Sequence, residues 1–302
     1  HIWSLCAVTL AAQILTVPLT VYYFHQFPNL FLLTNLVAVP LSTVILGGEL
    51  LLCAIAWLPF AGEAVGWCLT QLIRLLNGFI EHAAIIPYAV WDGLQINVAQ
   101  VLLLYLVIVA GSCWLRYRHK WLLYGALTAC LLFTAIRVIS FIQATQQQKI
   151  IVYNVPQHRA IDFIAGRKYR CIADSALITD ESTRNFHLKP SRIYHRISPG
   201  NQLPSLSATD KFFLFGNHRL LVVDSAVNFP ACTDKIQVDW IVLSNNARVY
   251  IRQLLKTFAC RQIIIDGSNY KSVAKRWKKE CEQYGIAVHT VSEEGAFVFT
   301  VR

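Results

Sequence analysis

The sequence has 302 residues, of which 55% are hydrophobic and only 15% are charged. Soluble domains carry about 25% charged residues, so this composition excludes an ordinary soluble enzyme. The charges are also unevenly distributed, because residues 1–147 contain four acids and five bases whereas residues 148–302 contain 13 acids and 22 bases. The first half therefore has the composition of a lipid-embedded region, and the second that of a water-exposed domain with a net charge of +9.

The beginning of the chain gives an expectation about the whole protein. The sequence contains no Met, begins at His1 within an apolar run, and has no charged residue before Glu49. A secretory signal begins with a positively charged segment, which is missing here. We therefore expect the chain to be a fragment of a longer membrane protein that has lost its beginning.

Four stretches of the first half are long and apolar enough to span a bilayer, which takes roughly 20 residues in a helix. They are Ile2–Phe24, Leu30–Gly48 with an apolar extension to Pro59, Val98–Leu115 and Trp121–Ile139. Pro18 and Pro40 interrupt the first two stretches and are expected to kink their helices, which can open the backbone to a cavity. Gln13 and Asn35 are expected to form hydrogen bonds between helices.

The segment Glu63–Ile86 differs from these spans because it is amphipathic on helical phase. Its polar face carries Glu63, Thr70, Arg74, Asn77 and Glu81, and its apolar face carries Val65, Leu69, Leu72, Leu76 and Ile80. Two interpretations remain open: a helix that lies flat at the membrane surface, or one wall of a water-filled path, because intramembrane charges usually face a cavity. The candidates for lining a channel or packing helices are Gln13, Asn35, Pro40, Thr70, Arg74, Asn77 and Glu81.

Basic residues set the expected orientation. Short cytoplasmic loops are enriched in Lys and Arg, and Arg116, Arg118 and Lys120 form the only basic short loop of the first half. If this loop is cytoplasmic, the helix Trp121–Ile139 carries the chain outward. Residues 148–302 are then expected on the external side of the membrane, whether or not Glu63–Ile86 crosses it.

After the polar tract Gln143–Lys149 the apolar pattern changes from helical to strand-like. Strands are predicted over Ile150–Val155, Arg159–Ala165 and Tyr169–Ala173, then a partly helical segment over Thr179–Ile197 and a hairpin of Lys211–Phe215 with Arg219–Asp224. Strands over Trp240–Leu243, Gln262–Ile265, Ala287–Val291 and Phe297–Val301 then alternate with helices over Val249–Phe258 and Val273–Tyr284. The predicted organisation is a multi-span α-helical membrane domain over residues 1–142, a linker over 143–149 and an α/β domain over 150–302.

The α/β domain offers few catalytic motifs. Its histidines are His158, His187, His195, His218 and His289, and no two have the H-x-x-x-H or H-x-H spacing of zinc ligands. Asp174, Asp224 and Asp266 each end a predicted strand, where α/β enzymes place catalytic groups, although Asp also favours turns. Asp174 and Asp266 alone could hold at most one magnesium ion weakly, so we predict neither a metal site nor a cofactor.

A basic cluster lies on the predicted helix Val273–Tyr284 and just before it. It consists of Lys271, Lys275, Arg276, Lys278 and Lys279. One interpretation is a solvated helix face that Glu280 and Glu282 partly neutralise. The other is a contact with nucleic-acid phosphates, because a domain of net charge +9 attracts polyanions without reading their sequence.

Four cysteines lie outside the predicted spans. They are Cys171, Cys232, Cys260 and Cys281. An external location would permit disulfides among them, and four cysteines allow three pairings between which the sequence does not choose. Because Cys171 and Cys260 lie in or beside predicted strands, buried free thiols are the default expectation.

Three segments near the beginning resemble the end of the competence transmembrane domain of the ComEC family. They are Gln13-Ile-Leu-Thr-Val-Pro18, Tyr23-Phe-His-Gln-Phe-Pro28 and Leu33-Thr-Asn-Leu-Val-Ala-Val-Pro-Leu41. The similarity continues through Asn77 and through Ile86-Pro87, and it covers most of residues 1–140. The pattern N-x-x-A-x-P after F-x-x-F-P is fairly specific to the family.

Residues 150–302 resemble a degenerate form of the metallo-β-lactamase-like domain that many members of this family carry. The family's opening strand reads L-D-V-G-Q-G-D, where this chain has Tyr153-Asn-Val-Pro-Gln-His-Arg159. The family's metal motif S-H-x-H-x-D-H is replaced by Ser244-Asn-Asn-Ala-Arg-Val-Tyr250. Asp266-Gly-Ser-Asn269 and Gly295-Ala-Phe297 also match the degenerate subgroup. The resemblance therefore implies the fold without its metal ligands.

The resemblance also implies a function in the inner (plasma) membrane of a bacterium. The family forms the channel that takes up single-stranded DNA in natural transformation, so the implied partners are single-stranded DNA and the lipid bilayer. Other competence proteins and a second copy of the chain are further candidate partners. Two alternatives are a membrane-anchored hydrolase that processes DNA, and a non-catalytic assembly protein that docks competence partners. Because the metal ligands are missing, we predict a channel component and not an enzyme.

Overall fold

The computed structural model describes residues 2–200, 203–226 and 234–301. The chain divides into two compact units, His1–Arg137 and Val138–Arg302. The helices and strands up to the end of the membrane region are α1 (Ile2–Phe24), β1 (Gln26–Pro28), α2 (Phe31–Ile55), α3 (Pro59–Ile85), β2 (Val90–Asp92), α4 (Val98–Tyr117) and α5 (Lys120–Gln146). Within the described chain, four of the helices are long and apolar enough to cross a membrane, namely α1, α2, α4 and α5, so the four predicted spans are confirmed as helices of suitable length and composition.

Local sequence signals set the ends of these helices. The side chain of Asn97 accepts a hydrogen bond from the Gln100 backbone N–H at 2.9 Å, and the Gln100 side chain accepts one from the Asn97 N–H at 3.1 Å. This reciprocal capping box begins α4. Arg118 ends α4 in the left-handed conformation with φ of 58°, which turns the chain into α5 through the basic loop.

A two-stranded sheet joins the helix ends on one side of the first unit. β1 pairs antiparallel with β2, with Phe27 opposite Trp91. The side chain of Asn29 donates to the Tyr88 carbonyl at 2.7 Å, which ties the start of α2 to the segment after α3. The end of α1, the start of α2, the end of α3 and the start of α4 therefore meet at this sheet.

Helix packing in the first unit relies on small residues and on a buried apolar cluster. A Cβ atom at Gly48 would lie 2.5 Å from Leu69 Cδ2, so the glycine lets α2 and α3 approach closely. Val21 of α1 packs with Ile96 and with Val101 of α4. Pro18 and Pro40 lie inside α1 and α2, which continue through both residues.

The second unit is an α/β domain, as predicted, and its two sheets form a sandwich. Its strands are β3 (Gln148–Val152), β4 (Ala160–Ala165), β5 (Lys168–Ala173), β6 (Ser198–Pro199), β7 (Leu206–Thr209), β8 (Phe212–Phe215), β9 (His218–Val223), β10 (Ile236–Leu243), β11 (Phe258–Ile265), β12 (Ala287–Thr290) and β13 (Phe297–Thr300). Its helices are α6 (Ser175–Thr179), α7 (Glu181–His187), α8 (Lys189–Tyr194), α9 (Ile251–Thr257), α10 (Lys271–Gln283) and α11 (Val291–Glu294).

The strands form two sheets with the orders β12-β11-β10-β9-β8-β7 and β13-β3-β4-β5-β6. Their facing surfaces share one apolar core, in which Phe163 of β4 stacks on Phe213 of β8 with ring centroids 5.6 Å apart. The outer face of the first sheet is covered by α9 and α10, with Trp277 fully buried. The outer face of the second is covered by α6 and by Leu188, between α7 and α8.

The polar tract 143–149 does not form the separate linker that the sequence predicted. α5 continues through Gln146 and β3 begins at Gln148. Polar side chains fix the junction: the Gln147 side-chain amide donates to the Gly166 carbonyl at 3.0 Å and to the His195 carbonyl at 2.7 Å. The composition suggested a linker because it cannot show that the Gln147 side chain has fixed partners.

Candidate functional site

Three polar strand ends of the first sheet lie at one edge of the sandwich. β9, β10 and β11 are parallel, so the residues that follow them, Asp224, Ser244 and Asp266, meet at the same edge. In the second sheet, Asp174 follows β5 and Arg159 precedes β4, its antiparallel neighbour. Ligands of α/β folds commonly bind at such carboxyl ends of strands.

The guanidinium of Arg159 lies between two of these carboxylates. Its Nη1 atom is 2.6 Å from Asp224 Oδ2, and its Nη2 atom is 3.6 Å from Asp174 Oδ1. The backbone N–H of Arg159 also donates to Asp174 Oδ2 at 2.7 Å. Because the Arg159 side chain is only 14% exposed, removing it would leave two partly buried carboxylates without this partner, which costs more than the loss of a surface ion pair.

A second cation binds the other oxygen of Asp224. Lys211 Nζ lies 2.9 Å from Asp224 Oδ1 and also donates to the Ser225 hydroxyl. Partial burial opposes the ionisation of Asp224, but the hydrogen bonds and charges of Lys211 and Arg159 outweigh it and lower the pKa of this carboxyl to about 2. Asp224 is therefore ionised and doubly paired at neutral pH.

Asp266 is satisfied within its own loop and by one neighbouring strand end. The Ser244 hydroxyl donates to its Oδ2 atom, and the Ser268 hydroxyl donates to its Oδ1 atom. The Asn269 side-chain amide adds a third hydrogen bond, at 3.0 Å. Burial raises the pKa of Asp266 to about 6 despite these donors. The side chain thus stabilises the loop and is not directed at a ligand.

Asparagines connect the two groups of carboxylates. Asn245 Nδ2 donates to Asp174 Oδ1 at 3.2 Å, and the Asn245 backbone N–H donates to the Ser268 hydroxyl oxygen at 2.6 Å. Asn245 and Asn246 both have positive φ, 53° and 52°, a conformation that asparagine tolerates better than most residues. We call Arg159, Asp174, Lys211, Asp224, Asn245 and Asp266 the strand-end network.

A close backbone contact fixes the loops around this network. A Cβ atom at Gly267 would lie 2.6 Å from the Val155 carbonyl oxygen, so only glycine fits. The Gln157 N–H donates to the Gly267 carbonyl at 2.9 Å. The Asp266-Gly-Ser-Asn269 loop is therefore held against the segment that precedes Arg159.

The residues present do not fit the metal ions for which the family's metal motif supplies ligands. In the segment that replaces the metal motif, Ala247 and Val249 are buried in the apolar core beneath α9 and α10, and neither can ligate a metal. Asn245 and the exposed Tyr250 offer an amide and a phenol. The described residues contain no group of three or more His, Cys, Asp or Glu side chains that could hold a metal ion.

The sequence singled out the three carboxylates but not the cations that bind them. Asp174 and Asp224 meet at Arg159, and Asn245 with Ser268 links them to Asp266. Arg159, Lys211 and Asn245 were missed as members of the site. A signal for Arg159 was available, because it stands where the family's opening strand has Asp, and an inverted charge next to carboxylates predicts an internal ion pair.

The basic cluster on α10 divides into free and paired side chains. Lys271, Lys275, Arg276 and Lys279 are exposed, while Ala274, Trp277 and Cys281 bury the opposite face. Lys278 Nζ binds Glu293 Oε2 at 2.7 Å, and Arg276 Nε lies 3.8 Å from Glu280. The free cationic surface is therefore narrower than the sequence suggested, and Lys271, Lys275 and Lys279 dominate it.

The polar residues of α3 face away from the neighbouring helix. Thr70, Arg74, Asn77 and Glu81 are all exposed, and we call these four residues the polar stripe. Leu69 on the opposite face is buried against Gly48 of α2. The Thr70 hydroxyl donates to the Gly66 carbonyl of its own helix at 2.8 Å.

The remaining candidates of the first unit lie apart from the polar stripe in sequence. Gln13 on α1 and Asn35 on α2 are half-buried, and Pro40 is exposed. Among the cysteines of the second unit, Cys171, Cys260 and Cys281 are free thiols, and burial raises the pKa of Cys281 to about 12. Cys232 lies outside the described residues.

Comparison with known families covers both units. Residues 150–301 match the family model described as the ComEC C-terminal domain, which is half of the chain. Residues 1–118 match the family model described as Competence protein. No curated protein and no solved structure matched the chain.

Proposed function

The chain belongs to the ComEC family of competence proteins, which gives it a role in DNA uptake, and from this premise we propose that it forms part of an inner-membrane channel for single-stranded DNA. In this proposal α3 forms one wall of the channel, and the polar stripe faces the single-stranded DNA. The C-terminal domain contacts DNA or partner proteins on the external side without hydrolysing DNA.

One observation carries the proposal: α3 runs the full length of a membrane-spanning helix. Three residues, 56–58, connect the end of α2 to the start of α3. The opposite ends of the two helices meet at the sheet of β1 and β2. α3 therefore covers the same distance as α2, whose length and composition suit a membrane span. This favours a helix that crosses the bilayer over one that lies flat at its surface.

A crossing α3 places the polar stripe inside the membrane. Charged side chains at that depth are costly unless they face water, a partner or a cavity. Arg74 and Asn77 supply donors for phosphate oxygens, as pore-lining groups do in other channels. These chemical properties support a water-filled path that conducts a polyanion.

Aromatic residues mark two levels at which the first unit would meet the membrane surfaces. Exposed Trp3, Trp57 and Trp121 lie at the helix ends near the basic loop. Exposed Tyr88 and Trp91 lie at the opposite ends, in or beside the small sheet. Trp and Tyr are enriched at both interfaces of membrane proteins. The span between the two levels thus includes the whole of α3.

The orientation of the chain follows from the basic loop. Arg116, Arg118 and Lys120 would hold the α4–α5 turn in the cytoplasm. α5 then leads outward, and Arg137 near its outer end donates to the Gln95 carbonyl at 3.4 Å, beside the small sheet. The C-terminal domain would then lie on the periplasmic or external side of the membrane.

A cysteine-accessibility experiment tests the path directly. Single cysteines replace Thr70, Arg74 or Asn77 in a chain whose own cysteines are changed to Ser or Ala, and cells are treated with a membrane-impermeant maleimide. Labelling is expected at these positions and not at Leu75, which is exposed in the chain but apolar and would face lipid. Protection of all three polar positions would contradict the channel.

Deletion of the parent gene tests the function in the cell. We expect DNA to bind the cell surface normally and to stop entering the cytoplasm, and a plasmid copy to restore entry. Normal transformation by the deletion strain would overturn the proposal. A reporter fused after Arg302 that is active only in the cytoplasm would overturn the orientation.

The proposed lack of hydrolysis has its own test. The purified full chain is incubated with single- and double-stranded DNA and magnesium, manganese or zinc. We expect no stoichiometric zinc and no cleavage. Cleavage that disappears in the Asp174→Ala or Asp266→Ala variant would show that the chain is a DNA-processing hydrolase.

A further inference from the structure

A second feature of the C-terminal domain is a cavity on the outer face of the sheet that contains β5. Its volume is about 350 Å³, within the range of small-molecule sites. β5 forms its floor through Tyr169, Cys171 and Ala173, and Leu177 of α6 with Leu188 forms apolar walls. The cavity is separate from the strand-end network, which lies at the end of the strands.

The cavity is lined by cations. Arg184 and Arg192 are among the described residues that line it, and none of those residues is acidic. Arg170 also lies along the cavity, but it alternates with the floor residues of β5, so its side chain leaves the opposite face of the strand. Arg184 and Arg192 lie eight positions apart across α7 and α8, with Leu188 midway between them. An anionic group that enters the cavity would therefore meet the guanidinium of Arg184, a group well suited to phosphate oxygens, together with that of Arg192, which also binds Asp162.

Arg192 is held in a fixed position. Its Nε and Nη2 atoms bind the two carboxylate oxygens of Asp162 at 2.9 and 3.0 Å, and Asp162 is fully buried behind it. The guanidinium carbon lies 4.1 Å from the centre of the Tyr169 ring. Arg184 makes no ion pair within the described part of the chain, so its charge is available to a ligand.

We propose that this cavity binds a nucleotide unit of single-stranded DNA, with Arg184 on the phosphate and the apolar walls against the sugar or base. The inference rests on the proposed function, because the transported strand supplies the ligand. Single-stranded nucleic acid is generally bound by cations that follow the backbone and by apolar or aromatic surfaces that receive the bases. The cavity combines both in one place.

The position of the cavity along β5 agrees with this assignment. Its floor runs from Tyr169 to Ala173, roughly 14 Å at the rise of a β-strand. Ala173 directly precedes Asp174 of the strand-end network. At the other end of β5, Arg167 stacks on Phe141 of α5 at 4.5 Å. The floor of the cavity therefore extends along β5 from the strand-end network towards α5, the helix that precedes this domain.

The experiment measures binding of a fluorescent oligothymidylate to the full chain in neutral nanodiscs. The test variant is Arg184→Ala, and the matched control is Arg252→Ala, which removes an exposed arginine from α9 on the opposite outer face. Arg192 is left intact because its ion pair with buried Asp162 stabilises the fold. We expect about tenfold weaker binding for Arg184→Ala, a salt dependence reduced by about one charge, and little change for the control.

Two further measurements show whether the phosphate that the cavity binds comes from DNA, from free phosphate or from a lipid headgroup. Inorganic phosphate at the same concentration as the oligonucleotide should not displace it, and vesicles of anionic phospholipid should bind both variants equally. Equal oligonucleotide affinities of Arg184→Ala and Arg252→Ala would overturn the cavity assignment. So would displacement by phosphate alone, or a loss of vesicle binding in Arg184→Ala. The gene deletion remains a separate test, because uptake can depend on the chain even if this cavity binds nothing.

Discussion

The polar stripe of α3 and the strand-end network of the C-terminal domain use similar residues in opposite ways. In the network, Asp174 and Asp224 are bound by Arg159, and Lys211 binds Asp224 as well. In the stripe, Arg74, Asn77 and Glu81 project from an exposed helix face. The network satisfies its charges internally, whereas the stripe leaves them available.

This difference separates a structural use of charge from a functional one. Buried charges must be paired if the fold is to be stable. Intramembrane charges that lack partners in their own unit usually contact water or a substrate. If α3 crosses the membrane as proposed, its polar stripe is therefore better suited to contact DNA than the strand-end network is.

The largest expected effect is on the strand-end network. Arg159→Ala leaves Asp174 and Asp224 without the guanidinium between them, and we expect a loss of about 3 kcal/mol in the free energy of unfolding of the full chain. The measurement is denaturant unfolding in detergent, followed by tryptophan fluorescence. Arg248→Ala, which removes an exposed arginine from the same loop region, is the control. Equal stability of the two variants would show that the network is not structural.

The next effect is on transport. Arg74→Leu replaces the cation of the polar stripe with a shorter apolar side chain, and we expect DNA uptake to fall about tenfold, or about 1.4 kcal/mol. The control is Leu75→Ala, at the exposed apolar position beside it. Transformation frequency is measured at matched protein levels. An equal effect of both changes would indicate a packing role for this part of α3.

A smaller effect is expected on α10. Lys275→Gln removes an exposed charge, and we expect about threefold weaker binding of single-stranded DNA, with a lower salt dependence. Lys278→Gln is the matched control on the same helix, because Lys278 is already paired with Glu293. If Lys278→Gln weakens binding as much as Lys275→Gln does, the cluster is not a contact surface of the kind proposed.

The smallest effect concerns pH. Burial and the adjacent Lys149 lower the pKa of His195 to about 4, so its neutral form stabilises the fold above about pH 6.5 and this contribution is lost as the pH falls towards 4. With solvent screening the loss is about 1 kcal/mol. In the His195→Gln variant, the melting temperature should change less between pH 7 and pH 4.5 than it does in the unchanged chain. Unchanged pH dependence in this variant would contradict the assignment.

Much of the fold followed from the sequence because its main signals are local. The apolar run Ile2–Phe24 coincides with α1, and the alternation from Trp240 to Leu243 lies within β10. The strand ends at Asp174, Asp224 and Asp266 were also found, because a polar residue after an apolar run is visible in the chain.

The features that were missed depend on contacts between distant residues. Arg159 and Asp224 are 65 positions apart, and no local pattern links them. The length of α3 relative to α2 became clear only from the pairing of β1 with β2. The side-chain partners of Gln147 explain why the tract 143–149 is ordered, although its polar composition predicted a linker.

The ion pair between Arg159 and Asp224 also connects the two sheets of the domain. Arg159 precedes a strand of one sheet and binds Asp224 at a strand end of the other, so it joins the two halves of the sandwich. A metal ion in such a position can be withdrawn by chelators, and its occupancy varies with the supply of the metal. A guanidinium belongs to the chain and stays charged at any physiological pH. The halves of this sandwich are thus held together in the same way whatever metals the surrounding medium contains.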